Sequence, residues 1–364
     1  MGDEFRVLAI NPGSTSTKFA WYVGEHPVFV KNLRHSDGEL APFRGRPILE
    51  QQEFRAAQIE NILNEAGHKI SDLHAVVGRG GLLPSLPSGT YAVNDTMLDE
   101  LRLARRGEHA ANLGAVLAQS IAEKAGVKAY IVDPVSVDEW PDYARLSGTA
   151  LLERQCLSHA LNSKAVAKRF AREQGRSYES LRVVVAHLGS GISVSAHQNG
   201  CMVDVTNSRE EGAFSTERAG GVPVMQLVDL CFSRKHTREQ VESLLFREAG
   251  LYSYLGTKDL VEVERRMDSG DAQSRIVFDA MVYQIAKEIG AMATVLHGSV
   301  DALLVTGGMA HSQRLVAALS ESVSWIATLV TYPGEDELQA LSEGVLRVLR
   351  REEEPRTLQP ILIS

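Results

Sequence analysis

Two short segments combine glycine with hydroxyl side chains in a pattern suited to binding phosphate. The first, "INPGSTSTK", covers residues 10–18, and the second, "HLGSGIS", covers residues 187–193. Successive backbone N–H groups in such loops form anion-binding nests, and hydroxyl groups add donors without steric bulk. Neither segment has the spacing of a Walker A loop or of a dinucleotide-binding fingerprint. The predicted phosphate-binding residues are Asn11, Gly13, Ser14, Ser16, Lys18, His187, Gly189, Ser190 and Gly191.

A third glycine element follows the apolar run "ALLVT" in the C-terminal part of the chain. Gly307 and Gly308 carry no side chain that would block an approaching ligand. They would let the sugar or the α-phosphate of a nucleotide come close to the backbone. The three glycine elements together predict a nucleotide-binding protein.

Two arginines stand beside glycine-rich backbone and are candidates for holding an anion. Arg79 lies in "GRGG" and Arg218 in "ERAGG", where a long side chain can reach a binding site unobstructed. Guanidinium groups bind the planar oxygens of carboxylates and phosphates in a bidentate manner. The alternative interpretation of either residue is a surface or ion-paired arginine.

Composition sets the limits within which these residues act. The chain has 364 residues, a formal net charge of -8 and a sequence pI of about 5.8. Its length predicts two domains, and its acidity argues against nucleic acid or an anionic membrane as partner. The three cysteines, Cys156, Cys201 and Cys231, have neither zinc-ligand nor disulfide spacing. Without a secretory signal or a long apolar run, we expect a cytoplasmic protein.

The elements that must position these residues follow an alternating α/β pattern in two similar halves. "VLAIN", the first loop and "KFAWYVG" predict a strand, a loop and a returning strand, and "RVVVAHLGSGISVSAHQNG" repeats this order about 175 residues later. A helix is predicted over 53–67 with Gly67 as its stop signal, and Asp95 is the expected N-cap of the next helix. The sequence therefore predicts an α/β fold whose halves divide near Ser147.

The motifs, taken in order, resemble those of butyrate kinases. The matching segments are "INPGSTSTK", "VVGRGGLL", "GEHAANLGA", "YIVDPVSVDE", "SHALNSKAVAKRFA", "HLGSGISV", "FSTERAGGVPV", "QIAKEIGAMA" and "VTGGMAHS". They extend from about residue 5 to about residue 350. Butyrate kinases belong, with acetate kinases, to the superfamily of actin, hexokinase and the sugar kinases.

The resemblance implies two similar actin-like ATPase domains around a nucleotide cleft. The expected bounds are 1–147, with a C-terminal helix at about 346–364 packed on this domain, and 148–345 with the adenosine-binding elements. The implied reaction transfers a phosphoryl group between ATP and butanoate, giving ADP and butanoyl phosphate. Mg²⁺ is the implied metal, and a homodimer or larger homo-oligomer is the implied assembly.

The resemblance also assigns roles to residues. Arg218, His159, Arg79 and Asp133 are the implied catalytic residues. His187 and His109 match further family positions, and a hydrogen-bonded structural histidine is the alternative interpretation of either. Asn11 and Glu337 are the implied metal ligands, with Asp336 as the neighbouring alternative and a solvated helix-start acid as the other interpretation of Glu337. A carboxylic acid is ionised at neutral pH, so the acceptor needs positive charge and alignment and not a base.

Departures from the family pattern concern the substrate. Ser158 replaces a common phenylalanine, Ser190 replaces a glycine, and "NSREEGAFSTERAGG" (207–221) differs from the usual segment. A serine near the acyl site would enlarge and wet the pocket, which favours a longer, branched or more polar acid. The alternatives are a sugar kinase, an actin- or chaperone-like ATPase, or a nucleotide-binding paralogue with little kinase activity.

Overall fold

The computed structural model describes residues 4–360, which form two compact units. The first contains the chain up to Asp138 and the segment from Asp336 onward, and the second is Glu139–Glu335. The boundaries predicted from the sequence were 147/148 and about 345/346. The C-terminal helix of the first unit covers Glu337–Leu349, compared with the predicted 346–364, of which residues 361–364 lie outside the described part.

Strands and helices alternate through both units. The first unit begins with β1 (Arg6–Pro12), β2 (Ser16–Val23), β3 (His26–Arg34), α1 (Asp37–Leu40), α2 (Gln52–Glu65), β4 (Ala75–Arg79), β5 (Thr90–Ala92), α3 (Asp95–Leu103), α4 (Asn112–Ala125) and β6 (Lys128–Val132). The second unit contains α5 (Asp142–Arg145), α6 (Ala160–Glu173), β7 (Arg182–Leu188), β8 (Ile192–Gln198), β9 (Cys201–Val205), α7 (Val224–Phe232), α8 (Arg238–Phe246), α9 (Gly250–Leu255), α10 (Leu260–Asp268), α11 (Ala272–Val295), β10 (Ala302–Gly307), α12 (Gln313–Val323) and β11 (Leu329–Pro333). The chain then returns to the first unit with α13 (Glu337–Leu349) and β12 (Arg356–Thr357).

The first unit is built on a seven-stranded sheet with the order β12-β5-β6-β4-β1-β2-β3. Strand β1 is parallel to β4 and antiparallel to β2. Leu8 and Ile10 pack with residues of α2 and α4, whereas α13 packs on β1, β4 and β6. Because helices cover both faces of the sheet, the run from Val7 to Ile10 is apolar without interruption and fully buried.

The second unit repeats this arrangement on a five-stranded sheet with the order β11-β10-β7-β8-β9. Strand β7 is parallel to β10 and antiparallel to β8. Val184 and Ala186 face the core that contains α11, while Val183 and Val185 face the core that contains α6. Strand β7 is therefore buried on both faces, as β1 is.

The two glycine–hydroxyl segments occupy equivalent places in the two sheets. The first joins β1 to β2, and the second joins β7 to β8. Asn11 pairs with Lys18 across the first hairpin, and His187 pairs with Ser193 across the second. Asn11 and His187 thus hold the same position, two residues before the first glycine of each loop. The predicted α/β class with two similar halves is confirmed.

One predicted helix cap is wrong. Asn94, and not Asp95, is the N-cap of α3: its backbone is extended and its side chain accepts a hydrogen bond from the Met97 N–H at 3.0 Å. Asp95 is the first helical residue, where a carboxylate interacts favourably with the helix dipole. Both residue types favour helix starts, so the sequence alone assigned the cap one residue too late.

None of the helices within residues 4–360 is long and apolar enough to cross a membrane.

Candidate active site

In the second unit, Arg218 lies directly against the second glycine–hydroxyl loop. A Cβ atom added to Gly191 would come within 2.6 Å of Arg218 Nη1, so a side chain there would displace the guanidinium. The Ser215 hydroxyl donates a hydrogen bond to the Ser190 carbonyl, and the Arg218 N–H donates to Ser215 Oγ at 3.1 Å. The "ERAGG" segment is therefore docked on the loop by Ser215.

Arg218 is a partly buried cation without an ion pair among the described residues. Its Nη1 donates to Ser208 at two atoms, the carbonyl at 3.2 Å and the hydroxyl at 3.3 Å. Burial lowers the pKa of Arg218, Glu217 opposes that shift, and the nearby Arg209 cation adds to it. Because both of its acceptors are neutral, its charge is available to an anionic ligand.

Two histidines stack beside this loop. The rings of His159 and His187 lie 3.8 Å apart between centroids, with an interplanar angle of 10°. His159 precedes the first turn of α6, and its Nδ1 is 2.9 Å from the Ser193 hydroxyl. The structure thus brings His159, His187 and Ser193 together in one unit.

Polar contacts fix both ring nitrogens of His187. Nδ1 lies 2.8 Å from Asn162 Oδ1, and Nε2 lies 3.0 Å from Glu335 Oε1. Glu335 Oε1 would also be 3.3 Å from a Cβ added to Gly189, which places this carboxylate beside the loop. Neither Asn162 nor Glu335 was predicted from the sequence, because each meets His187 only through the fold.

Ser158 does not face solvent, contrary to the wet pocket expected from the sequence. Its side chain is buried, and its hydroxyl lies 3.8 Å from the Met202 sulfur. The Ser158 hydroxyl is therefore enclosed by the protein and does not itself make a pocket wet.

The glycine pair after β10 serves two different purposes. Gly307 has φ 93° and ψ 172°, a conformation that essentially only glycine adopts, and an added Cβ would lie 2.3 Å from the Leu188 carbonyl oxygen. Its close approach is thus to the end of β7. Beyond its own stretch of chain, Gly308 has nothing within 4 Å of an added Cβ, so of the two glycines only Gly308 has open space there.

In the first unit, the structure joins Glu337 to two predicted site residues. Asn11 Nδ2 donates a hydrogen bond to Glu337 Oε2, and Arg79 Nη1 lies 3.2 Å from the same oxygen. The Glu337 side chain is only 8% exposed, whereas Asp336 is exposed. Glu337 is therefore not a solvated helix-start acid, and Arg79 is ion-paired, unlike Arg218.

The first glycine–hydroxyl loop is held by a residue that the sequence analysis missed. Arg55, from α2, is fully buried and donates to the carbonyl groups of Gly13, Ser14 and Ser16. A sequence signal existed: Arg55 lies one helical turn before Ile59 on the face that also buries Leu63, which is an unusual place for a charge.

Three further residues of the first unit were predicted from the sequence: Asp133, Lys18 and His109. Asp133 follows β6 with φ 38°, and its Oδ1 accepts from the Ser88 hydroxyl at 2.5 Å and the Gly89 N–H at 2.8 Å. Lys18 and His109 are exposed. The Asp133 carboxylate therefore orders the loop before β5, and a role in catalysis stays a prediction.

The donors present suit a magnesium ion brought in by a nucleotide. Within residues 4–360, His, Cys, Asp and Glu form no group of three or more that could hold a metal ion alone. Mg²⁺ keeps several waters and binds through one or two carboxylates together with substrate phosphates. One carboxylate, Glu337, beside the Asn11 amide matches that requirement.

Comparisons with known proteins agree with this geometry. Residues 150–328 match the model of the acetokinase family. The fold is that of an acetate kinase from Porphyromonas gingivalis (TM-score 0.78, 18% identity, 95% of this chain and 100% of that one). A propionate kinase from Francisella tularensis is also similar (TM-score 0.72, 16% identity, 93% and 98%). A ROK family protein from Streptococcus pneumoniae in complex with sucrose shares the broader fold (TM-score 0.52, 10% identity, 96% and 100%).

The class of fold is thus the one that this chain shares with the acetate kinase, the propionate kinase and the ROK family protein. Residues 150–328, the part of the chain that matches the acetokinase family model, carry His159, His187 and Arg218.

Proposed function

We propose that the protein is an ATP-dependent kinase of a short-chain carboxylic acid, with butanoate as substrate and butanoyl phosphate and ADP as products. The reaction is reversible, and a branched-chain or other short fatty acid is the alternative substrate. The enzyme would act in the cytoplasm as a homodimer or larger homo-oligomer. One observation carries the proposal: Arg218, a partly buried cation whose hydrogen-bond acceptors are neutral, lies against a glycine–hydroxyl loop beside two stacked histidines.

The chemistry follows from the charges in that cluster. A carboxylate oxygen of the acid attacks the γ-phosphorus of ATP in line, and the bond between this phosphorus and the β–γ bridging oxygen breaks. No proton has to be removed, so catalysis consists of positioning and stabilising negative charge. Arg218 would neutralise charge on the transferred phosphoryl group or the carboxylate, and His159 would donate a hydrogen bond to it.

Residues of the first unit would bind the other anionic groups. Asn11 and Glu337 would hold Mg²⁺ through its water shell, and the exposed backbone of the first loop would bind phosphate. When bound, the ion neutralises phosphate charge and fixes the geometry of the nucleotide. Arg79, paired with Glu337, would keep the carboxylate oriented.

The choice of butanoate rests on the resemblance of the motifs to butyrate kinases. Each additional buried methylene contributes about 0.8 kcal/mol, which is enough to distinguish acids that differ by one carbon. The replacement of a common phenylalanine by Ser158 supports the branched-chain alternative, because a smaller side chain near the acyl group would leave room for a methyl branch.

An acyl phosphate can be trapped directly with hydroxylamine, and this reaction tests the proposal. The purified protein is incubated with Mg-ATP and a panel of acids from acetate to valerate, including isobutyrate and isovalerate. We expect hydroxamate formation to be highest with butanoate. Arg218→Ala should lower kcat by about 100-fold or more, because it removes a donor aimed at the reacting anion. Arg218→Lys should be intermediate, since it keeps the charge and loses the bidentate fork.

The control is Arg238→Ala, which removes an arginine of α8 whose side chain is 86% exposed. This variant should match the wild type. An optimum with a branched acid would favour the alternative substrate. Absence of hydroxamate with every acid, while the protein still binds Mg-ATP, would contradict the proposal and favour a nucleotide-binding paralogue.

A further inference from the structure

Arg55 uses all five of its N–H groups inside the protein. Nε and Nη2 donate to the Gln51 side-chain oxygen at 3.0 and 2.7 Å, and Nη2 also donates to the Ser14 carbonyl at 2.9 Å. Nη1 donates to the Gly13 and Ser16 carbonyls at 2.8 and 3.0 Å. It also contacts the Thr17 hydroxyl at 3.0 Å. One guanidinium thus binds three carbonyl groups of the loop backbone.

These contacts determine where the loop N–H groups point. In a trans peptide, the C=O of one residue and the N–H of the next point in opposite directions, and residues 4–360 contain no cis peptide bond. Because the Gly13 and Ser14 carbonyls point at Arg55, the N–H groups of Ser14 and Thr15 point away from it. Both residues are exposed, and within the described chain neither N–H donates to another residue.

Arg55 also places a positive charge behind these N–H groups. Each of its acceptors is a neutral carbonyl, amide or hydroxyl oxygen, and none of the described carboxylates pairs with it. Burial lowers the pKa of Arg55 to about 10, so the side chain remains protonated at neutral pH. An anion that binds the outward N–H groups would therefore meet an uncompensated charge on the protein side of the loop.

We propose that Arg55 is a positioning residue for phosphate binding, which orients the Ser14 and Thr15 N–H groups outward and supplies the charge behind them. The role depends on the proposed function, because the anion is taken to be a phosphate of ATP or of the acyl phosphate. Arg55 itself does not touch the ligand, since it lies wholly beneath the loop.

Two substitutions separate geometry from charge. Arg55→Lys keeps the positive charge but replaces the planar guanidinium by a single ammonium group, which cannot hold the three loop carbonyls together. Gln51→Glu keeps the Arg55 guanidinium and its contacts with the loop. It also gives Arg55 an anionic partner, which cancels the positive charge behind the loop. We expect Arg55→Lys to raise the Kd for Mg-ATP about tenfold or more, and Gln51→Glu to raise it several-fold. Arg238→Lys, at the exposed site on α8, serves as the matched control and should bind as the wild type does.

Binding is measured by calorimetry at a temperature where urea unfolding shows each variant to be folded. A residue with only a structural role would lower the unfolding midpoint and leave the Kd of the folded protein unchanged. Guanidinium chloride at low millimolar concentration should restore Mg-ATP binding to Arg55→Ala, because it can occupy the vacated site. If Arg55→Lys does not fold, Gln51→Glu still tests the charge.

The outcomes distinguish this inference from the proposed function. Wild-type protein that binds Mg-ATP and forms acyl phosphate, with both variants binding equally well, would overturn the role of Arg55 alone. Wild-type protein that does not bind Mg-ATP would overturn both. Weakened binding in Arg55→Lys and Gln51→Glu, with Arg238→Lys unchanged, would support the positioning role.

Discussion

At the scale of single residues, the two predicted arginines have different environments. Arg79 is paired with Glu337, whereas the acceptors of Arg218 are neutral atoms of Ser208. A paired arginine mainly fixes its carboxylate partner, while an arginine without an ion pair attracts an anionic ligand. Both residues stand beside glycines in the sequence, so local sequence could not separate these roles.

Adjacent acids at the start of α13 provide a matched test of the proposed metal site. Glu337→Gln removes a buried carboxylate and should raise the Mg²⁺ concentration for half-maximal activity about tenfold or more. Asp336→Asn alters an exposed acid one residue away and should change this concentration less than about twofold. A magnesium titration of hydroxamate formation measures both. Equal effects of the two substitutions would show that burial beside Asn11 and Arg79 does not define the metal site.

At the scale of elements, the end of β10 shows how packing and binding use neighbouring glycines. Gly307 is required by its own backbone conformation and by its contact with the Leu188 carbonyl at the end of β7. Gly308 begins the short 3₁₀ helix Gly308–His311 and has open space at its Cβ position. The sequence predicted close ligand approach at both, but only Gly308 has room for it.

This difference predicts opposite results for two alanine substitutions. Gly307→Ala should lower the free energy of unfolding by about 2 kcal/mol or more, because of the positive φ and the clash with Leu188. Gly308→Ala should change stability by less than about 1 kcal/mol, yet raise the KM for ATP if the nucleotide passes over it. Urea unfolding and steady-state kinetics measure the two effects. A Gly307→Ala protein as stable as the wild type, or a Gly308→Ala protein with an unchanged KM for ATP, would contradict the structural explanation.

At the scale of the whole molecule, one arrangement occurs in both units. Asn11 and His187 hold equivalent positions, and each contacts a carboxylate, Glu337 for the first and Glu335 for the second. These acids flank the point where the chain passes from the second unit back to the first. In each unit, the strand that leads into the glycine–hydroxyl loop therefore contacts an acid within two residues of the boundary between Glu335 and Asp336.

The sequence predicted the repeated strands and loops because their signals are local. Apolar runs ended by glycine marked β1, β4, β7 and β10, since burial on both faces leaves a continuous apolar segment. Arg55, Asn162 and Glu335 were not predicted, because their contacts join residues far apart in the chain. The ion pair of Arg79 with Glu337 was missed for the same reason.

Formation of an acyl phosphate by direct transfer to the carboxylate is the decisive property to measure. We would incubate the protein with Mg-ATP and butanoate labelled with ¹⁸O in both carboxylate oxygens, and record ³¹P spectra of the mixture. We predict an acyl phosphate signal shifted by one bridging ¹⁸O, with ADP formed in equal amount, because the carboxylate oxygen attacks phosphorus. Formation of ADP and unlabelled inorganic phosphate without acyl phosphate, or no turnover at all, would contradict the assignment as a carboxylate kinase.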